Sequence, residues 1–388
     1  MKEVYMDHAA TTPLAPAVLE VMQPYFEEKF GNASTVYRRG QRARMAIEDS
    51  RRRIAATINA RPEEICFTGG GSESDNMALR GGLALSRKRH IIVSAIEHHA
   101  VLHTCEALAA EGAEITYLPV DERGFVDPAA VAAALRPETA IVSVMSANNE
   151  IGTLEPIAEI GSICREAGVL FHTDAVQAFG QIPLDVQALQ VDLLSASAHK
   201  LNGPQGVGLL YIRRGLQLPP LIHGGAQERG RRAGTENLAG IVGFARAAEL
   251  AQESMEERSA REREIRDHMI RRLTTEIPAC RLNGDPEKRL PNNVHVLLPC
   301  VEGESLLLLL DQKGIAAASG SACASGSLEP SHVLRAIGIS HEDAFSGLRL
   351  SIGAETTLED ADYVVDSLKE IVDKLREKSP RWRERQQG

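Results

Sequence analysis

Over the first two-thirds of this chain, short strand-like apolar runs alternate with stretches whose apolar residues recur at helical spacing. Parallel strands need crossover connections long enough to hold a helix, so this alternation predicts an α/β fold with a mixed, mostly parallel sheet covered by helices. The strand-like runs are 64–68, 90–95, 114–120, 140–146, 169–172, 191–195 and 207–212. The helical stretches between them are 74–85, 100–111, 128–135 and 157–167. Ligands of such sheets bind at the carboxyl ends of the strands.

The pattern changes after about residue 237, where a long helical stretch with a heavily charged face begins. A smaller α+β domain is predicted from helices at 238–276, 304–312 and 358–378 and strands at 293–298 and 347–352. A chain of 388 residues is long enough for two domains. We therefore predict an N-terminal arm at 1–15 that joins the small domain, a large domain at 16–255, a small domain at 256–388 and a frayed polar tail after residue 380.

Charge and composition exclude several classes of protein. The formal net charge of −10 argues against a protein that coats nucleic acid, which would need basic patches. An acid at Glu3 and the lack of an early apolar segment argue against a secretory signal, and the densest apolar run, 306–310, is too short to span a membrane. The six cysteines form no CxxC pair, so neither a disulfide framework nor a zinc site is expected. We expect a cytoplasmic enzyme without a metal and without direct nucleic-acid or membrane contact.

A glycine-rich turn at 68–74 separates a strand-like run from a helical one. Its glycines let the backbone approach a ligand, Ser72 offers a hydroxyl, and the helix start offers free N–H groups to an anion. The segment lacks the lysine of a P-loop and the spacing of a dinucleotide fingerprint. Taken alone it is equally consistent with a turn in which Ser72 caps the helix.

An acid and a lysine follow two other buried runs. Asp174 ends a strand-like run, where a carboxylate is costly without a cation, although a helix N-cap is the alternative. Lys200 lies between an apolar run and a second glycine-rich turn, a position that suits a desolvated amine able to form a Schiff base. Pyridoxal 5'-phosphate needs a lysine, an acid for its ring nitrogen and a phosphate cup at a helix start. The sequence therefore predicts this cofactor.

Seven motifs occur in a fixed order along the chain. They are DHAATTP at 7–13, GGSESDN at 70–76, EHHAV at 97–101, NNEIG at 148–152, DAVQ at 174–177, SAHK at 197–200 and RAGTEN at 232–237. The set resembles the class V aminotransferases and, within them, the cysteine desulfurases of the NifS/IscS type. The resemblance covers residues 5–357 and implies a fold-type I pyridoxal-phosphate transferase that acts as a homodimer.

The resemblance implies a role for each matching residue around the cofactor ring. Lys200 would bind the cofactor covalently, and Asp174 would hold the proton on the ring nitrogen. Gln177 would hydrogen-bond the ring oxygen. His98 would stack on the ring and move protons.

The phosphate and the substrate would be held by other residues of the same set. A threonine from the neighbouring subunit completes the phosphate cup in this family, and Thr235 matches it. Arg349 would clamp the substrate carboxylate with its planar fork. The remaining residues would be Gly71, Ser72, Ser197 and His199 at the phosphate and Asn149 near the substrate and the ring oxygen.

The segment 319–334, SGSACASGSLEPSHVL, resembles the catalytic loop of the desulfurases. The resemblance implies that Lys200 removes the Cα proton of bound L-cysteine. Cys323, as a thiolate, would then attack the substrate sulfur and become a persulfide while the substrate leaves as L-alanine. The sulfur would pass to an acceptor such as an iron–sulfur scaffold or a tRNA-thiolation protein.

Three alternatives remain at the level of sequence. A selenocysteine lyase would use the same cofactor residues, whereas another class V aminotransferase would have no use for Cys323. A non-catalytic scaffold with this fold would tolerate the loss of Lys200, Asp174 or Cys323, and all three are present.

Overall fold

The structure, a computed structural model, describes residues 2–319 and 329–387. Cys323 lies outside the described residues. Among the described residues, the helices are α1 (Pro16–Met22), α2 (Pro24–Glu27), α3 (Arg38–Thr57), α4 (Gly71–Ser86), α5 (His99–Ala110), α6 (Pro128–Ala134), α7 (Ile157–Ala167), α8 (Leu238–Glu253), α9 (Met255–Glu276), α10 (Gly303–Asp311), α11 (His332–Ala336), α12 (Leu358–Lys378) and α13 (Pro380–Gln387).

The strands form one large sheet and two small ones. They are β1 (Val4–Tyr5), β2 (Ile65–Thr68), β3 (His90–Ser94), β4 (Glu114–Leu118), β5 (Thr139–Ser143), β6 (Leu170–Asp174), β7 (Leu193–Ser197), β8 (Gly208–Ile212), β9 (Arg281–Leu282), β10 (Asn293–Leu297), β11 (Ile315–Ala316) and β12 (Gly347–Ser351). The large sheet has the order β2-β8-β7-β6-β5-β3-β4, in which β8 runs antiparallel to both neighbours and every other pair is parallel. The predicted mixed, mostly parallel sheet is confirmed.

Both faces of the large sheet are covered by apolar side chains. Successive residues of β3 show this, because Ile92 belongs to one apolar cluster while Ile91 and Val93 belong to another. A strand turns successive side chains to opposite faces, so a strand buried on both sides is apolar throughout. This explains why the strands appear in the sequence as continuous apolar runs.

The smaller sheet has its own apolar cluster. Strand β10 pairs antiparallel with β12 on one side and with β9 on the other. Strand β1 of the N-terminal arm pairs with β11, and Val4 and Met6 belong to the cluster of the small sheet. The domain boundary between residues 255 and 256 stays a prediction, because packing clusters do not by themselves define independent folding units.

Three features of the structure differ from the expectations. The stretch 238–276 is two helices, since the chain breaks at Ser254 between α8 and α9. The predicted frayed tail is wrong, because α13 occupies Pro380–Gln387 and Trp382 packs under the Arg376 guanidinium at 3.9 Å from the ring centroid. Helix α3 was not expected, since its mostly charged and small residues give weak apolar periodicity. Among the described residues, no helix is long and apolar enough to cross a membrane.

Candidate active site

A cavity of about 400 Å³ lies at the edge of the large sheet where the parallel strands end. Strands β2, β3, β5, β6 and β7 point the same way, so the loops after them meet at this edge. Ten of the predicted site residues line the cavity: Gly71, Ser72, His98, Asn149, Asp174, Gln177, Ser197, His199, Lys200 and Arg349.

Asp174 is the last residue of β6 and is 5% exposed. Its Oδ1 accepts a hydrogen bond from the backbone N–H of Val176 at 2.8 Å, so it closes a turn, and no helix begins there. Burial raises the pKa of Asp174 to about 6, while the Val176 N–H and the Lys200 charge act in the opposite direction. A carboxylate held at this site is suited to a cationic partner.

Lys200 ends a single helical turn, Ala198–Lys200, that follows β7. Its Nζ donates to the backbone oxygens of Ala9 and Ala10, at 2.5 and 2.7 Å. Gln177 Nε2 donates to the same Ala9 oxygen at 2.9 Å. The N-terminal arm therefore forms one wall of the cavity and holds the amine against it.

The glycine-rich turn forms the other end of the cavity, at the start of α4. The N-cap is Gly70 and no side chain caps the helix, so the alternative in which Ser72 is the cap is wrong. The uncapped N–H groups are free to bind an anion. Gly71 must lack a side chain, because a Cβ there would lie 2.6 Å from Val176 Cγ2. Ser72, Ser197 and His199 line an adjoining pocket beside this helix start.

His98 is the N-cap of α5, and its Nδ1 accepts from the Ala100 N–H at 3.1 Å. Burial, followed by the nearby charge of Lys200, lowers the pKa of His98 to about 4. The imidazole is therefore neutral near pH 7. Because Nδ1 accepts the Ala100 N–H, the ring carries its hydrogen on Nε2. The preceding residue, Glu97, is buried and accepts from the Ser94 hydroxyl at 2.6 Å and from the Met145 N–H at 2.8 Å. Burial raises the pKa of Glu97 to about 8.

Arg349 lies in the middle of β12 and is 2% exposed. Its Nη1 donates to the Asn149 backbone oxygen at 2.9 Å, and its Nη2 pairs with Asp7 Oδ1 at 2.8 Å. These two bonds fix the plane of the guanidinium at the cavity wall. The small sheet and the large sheet thus both contribute side chains to one cavity.

The described residues on both sides of the segment 320–328 are attached near the cavity. On one side, the Arg349 N–H donates to the Ala318 oxygen at 2.7 Å. On the other side, the Ser331 hydroxyl donates to Glu150 Oε2 at 2.5 Å, and His332 Nε2 lies 2.9 Å from the Glu97 oxygen. Ala318 and Ser331 are therefore both held beside residues that line the cavity.

The cavity fits pyridoxal phosphate at both ends. Asp75 Oδ1 is buried and has no hydrogen-bond partner among the described residues. One carboxylate oxygen each of Asp75 and Asp174 and one imidazole nitrogen of His98 all lie within 4.8 Å of one another. Buried acids facing a cavity are suited to a cationic N–H, which a protonated pyridine supplies. At the other end, the uncapped start of α4 and its neighbouring hydroxyl groups are suited to the phosphate.

Thr235 is not among the residues that line this cavity. It lines a separate pocket together with Gly69 and Gly206, on the outer side of the glycine-rich turn. Sequence reasoning gave no role to several residues that do line the cavity: Ala9, Ala10, Asp75, His99, Met145, Glu150, Val176 and His332. The signal for Asp75 was present in the sequence, because an acid four residues after Gly71 lies on the same helical face.

Comparisons with known proteins agree over nearly the whole chain. The sequence profile of the family described as "Aminotransferase class-V" matches residues 4–364. A "Cysteine desulfurase IscS" of Clostridium botulinum is 52% identical over 385 residues, covering 98% of this chain and 97% of the relative. A solved "NifS-like protein" superposes with a TM-score of 0.90 at 37% identity, covering 96% of this chain and 100% of that one. The solved structure "SspA in complex with cysteine" has a TM-score of 0.80 at 37% identity, covering 91% and 99%.

Proposed function

This chain belongs to the class V aminotransferase family, and on that premise we propose that it is a fold-type I, pyridoxal-phosphate-dependent cysteine desulfurase. The observation that carries the proposal is the convergence of Lys200, Asp174 and the uncapped start of α4 in one cavity. The substrate is L-cysteine, which is supported by a similar solved structure in complex with cysteine.

Pyridoxal phosphate, when bound, supplies an electron sink that allows bonds at Cα and Cβ of an amino acid to break. Lys200 Nζ would hold the cofactor and, once released from it, would take the Cα proton of the substrate. Asp174 would hold the proton of the ring nitrogen, and neutral His98 would lie beside the ring with its hydrogen on Nε2. Arg349 binds the substrate carboxylate on the guanidinium plane that Asn149 and Asp7 fix.

Cys323 is the proposed sulfur acceptor. Its thiolate attacks the substrate sulfur, a sulfur–sulfur bond forms and the Cβ–sulfur bond breaks. The electron pair of the broken bond stays on the substrate carbon, which takes a proton to become the methyl group of L-alanine. The balance is L-cysteine plus the Cys323 thiol giving L-alanine plus the Cys323 persulfide, with no external oxidant. The attachment of residues 318 and 331 near the cavity supports this assignment.

The enzyme is proposed to act as a homodimer in which Thr235 completes the phosphate site of the neighbouring subunit. Support comes from exposed large apolar side chains concentrated in one stretch of the chain: Phe26, Phe30, Val36, Tyr37 and Met45. We propose that they form one interaction surface, since large exposed apolar patches are typical of such surfaces. Tyr37→Glu should shift the sedimentation of the protein to that of a monomer, whereas Leu308→Glu, at another exposed apolar position, should leave the dimer intact. A Tyr37→Glu dimer as stable as wild type would contradict this interface.

The acceptor of the persulfide sulfur is proposed to be a protein of iron–sulfur assembly or tRNA thiolation, and the site of action the cytoplasm. Support for iron–sulfur assembly comes from the name shared by the IscS relatives. Selenocysteine lyase activity is the second candidate, because the same cavity residues would serve it. Comparing kcat/KM for L-cysteine and L-selenocysteine separates the two.

The decisive experiment measures alanine and sulfide release from L-cysteine with a reductant present. The wild-type protein should carry an absorbance of lysine-bound cofactor, form alanine and release sulfide. Cys323→Ser should keep the cofactor absorbance and lose sulfide release, and Cys300→Ser is the matched control at another thiol. Full sulfide release from Cys323→Ser would overturn its role, and a wild-type protein that binds no cofactor would overturn the function.

A further inference from the structure

A second acid lies beside Asp174, and no step of the proposed reaction uses it. Asp75 is in the first turns of α4, lines the cavity and is 1% exposed. It lies four residues after Gly71 and three after Ser72, so it projects from the same helical face as the phosphate site. Its Oδ1 has no hydrogen-bond partner among the described residues.

The groups that face Asp75 leave room for only one negative charge. Glu97 is buried with a pKa raised to about 8, so it is mostly protonated near pH 7. His98 has a pKa of about 4 and fully buried His172, 3.7 Å from Asp75 Oδ1, a pKa of about 3, so both are neutral. Lys200 is the cation that acts on Asp174. Two adjacent buried carboxylates cannot both ionise beside one cation without a large penalty.

The local contacts decide which acid keeps the proton. Asp174 accepts a backbone N–H from Val176 at 2.8 Å and faces Lys200, and both stabilise its anion. Asp75 Oδ1 has no hydrogen-bond partner among the described residues, and the nearby Ser195 hydroxyl only partly opposes the rise in the pKa of Asp75. Burial raises the pKa of Asp75 well above its ordinary value, and the negative charge of Asp174 raises it further.

A chain of uncharged groups lies beside Asp75. Ser143 Oγ lies 2.8 Å from His172 Nδ1, and His172 Nε2 lies 2.9 Å from Ser195 Oγ. Burial keeps His172 neutral, so one of its ring nitrogens donates to a serine hydroxyl and the other accepts from one. Neither the serines nor the imidazole brings a positive charge to Asp75 that would stabilise its anion.

We propose that Asp75 is a positioning residue of the cofactor site, a neutral carboxylic acid that leaves Asp174 as the single anion facing the ring nitrogen. This inference rests on the proposed use of pyridoxal phosphate. In this arrangement Asp75 is protonated and Asp174 is ionised. The cavity then offers one negative charge to the one positive charge of the protonated ring nitrogen.

Infrared spectroscopy of protein labelled with ¹³C at the aspartate side-chain carboxyl tests the proton directly. At pH 8, above the pKa of about 6 of Asp174, the wild-type protein should show the carbonyl band of one protonated aspartic acid. The label removes the contribution of Glu97 and other buried glutamates. Asp75→Asn should lose the band, and Asp174→Asn should lower the pH at which the band disappears, because it removes the negative charge that raises the pKa of Asp75. Absence of the band in wild type, or its persistence in Asp75→Asn, would overturn the inference.

Cofactor binding to the apoprotein gives a second readout. Asp75→Asn keeps the shape and the neutral state, so its dissociation constant for pyridoxal phosphate should stay within about threefold of wild type. Asp174→Asn should weaken binding by a factor of roughly 100 or more, since it removes the anion. Equal weakening by both substitutions would show that Asp75 is charged and would overturn the inference. A wild-type protein that binds no cofactor would contradict the proposed function. The infrared band would still report whether Asp75 is protonated, so the two failures can be told apart.

Discussion

Burial sets the protonation of most titratable side chains around the cavity. Glu97 and His98 are adjacent in sequence, and the pKa of the acid is raised to about 8 while that of the imidazole is lowered to about 4. Each shift favours the neutral form, because a charge loses its hydration in the interior. The cavity can therefore concentrate its charge on Asp174, Lys200 and Arg349, the residues proposed to meet ionic parts of the cofactor and the substrate.

The pKa of Glu97 makes stability depend on pH in a defined direction. The ordinary value is 4.5 and the folded value is about 8, so the folded chain keeps a proton that the unfolded chain releases between these limits. The stability from Glu97 is present in full below about pH 4.5 and is lost as pH rises to about 8. Relative to wild type, Glu97→Gln should therefore gain up to about 1.4 kcal/mol in free energy of unfolding per pH unit in this window.

Urea unfolding of Glu97→Gln and wild type at pH 5, 6 and 7 measures this difference. Glu106→Gln, on the exposed surface of α5, the helix that follows Glu97, is the control and should track wild type. A stability difference for Glu97→Gln that does not change with pH would contradict the expected protonation.

Arg349 provides a prediction for substrate binding. Arg349→Lys keeps the charge but loses the planar fork that binds a carboxylate through two parallel hydrogen bonds. We expect KM for L-cysteine to rise about 10- to 100-fold, the equivalent of about 1.4–2.8 kcal/mol, with the cofactor absorbance unchanged. Arg335→Lys on the exposed side of α11 should leave KM unchanged. A normal KM for Arg349→Lys would rule out the carboxylate clamp.

At the scale of elements, the start of α4 joins the glycine-rich turn to the end of β6. Gly71 and Val176 are in contact there, and the space between them is too small for a Cβ. Gly71→Ala should therefore displace the N–H groups at the helix start and weaken binding of pyridoxal phosphate to the apoprotein by about tenfold or more. Gly71→Ala combined with Val176→Ala should recover most of the affinity, since the second change removes the Cγ2 atom that clashes. Failure of the double variant to recover would show that the contact with Val176 is not the cause.

The sequence predicts elements well where apolar periodicity is strong and poorly where it is weak. Helix α7 and helix α12 have the bounds expected, since both have a clear apolar face. Helix α3 and helix α13 are rich in charged residues, so their stability depends on tertiary contacts that a local pattern does not contain. The antiparallel direction of β8 was also not readable, because a strand buried on both faces has the same apolar pattern in either direction.

The site was predictable to the extent that it lies in local motifs. Apart from Arg349, in the middle of β12, the residues that converge in the cavity lie at or after strand ends or at helix starts, where the sequence showed glycines, an acid and a lysine. Asp75 and the contacts of the arm with Lys200 were missed, because they depend on which helical face is buried and on a contact across about 190 positions. Those relations exist only after the two sheets have packed.

At the scale of the whole molecule, the N-terminal arm connects the small sheet to the cavity. Met6 is fully buried in the apolar cluster of the small sheet. Its backbone N–H donates to the Ala316 oxygen, and its oxygen accepts from the Ser351 N–H. The next residues supply Asp7 to Arg349 and two carbonyl oxygens to Lys200. The position of the cavity wall therefore depends on packing in the small sheet.

Met6→Ala tests this dependence. A cavity at this buried site should lower the free energy of unfolding by about 2–5 kcal/mol, and loosening the arm should also weaken cofactor retention. Met6→Leu conserves the volume and should cost less than about 1.5 kcal/mol, while Leu308→Ala, at an exposed position, should be close to neutral. Chemical denaturation and cofactor release on gel filtration measure the two effects. If Met6→Ala is clearly destabilised but retains the cofactor as wild type does, cofactor binding does not depend on the packing of the N-terminal arm.

The position of β8 between β2 and β7 also determines the order of events during synthesis. Strand β2 leads into the glycine-rich turn, yet within the described residues it pairs in the large sheet with β8 alone, about 140 residues later. During synthesis on the ribosome, β2 and the glycine-rich turn after it therefore stay without their strand partner until β8, beyond Lys200, has emerged. The cofactor cannot template this fold at an early stage, and a nascent chain stalled before β8 would expose a strand edge that chaperones must shield.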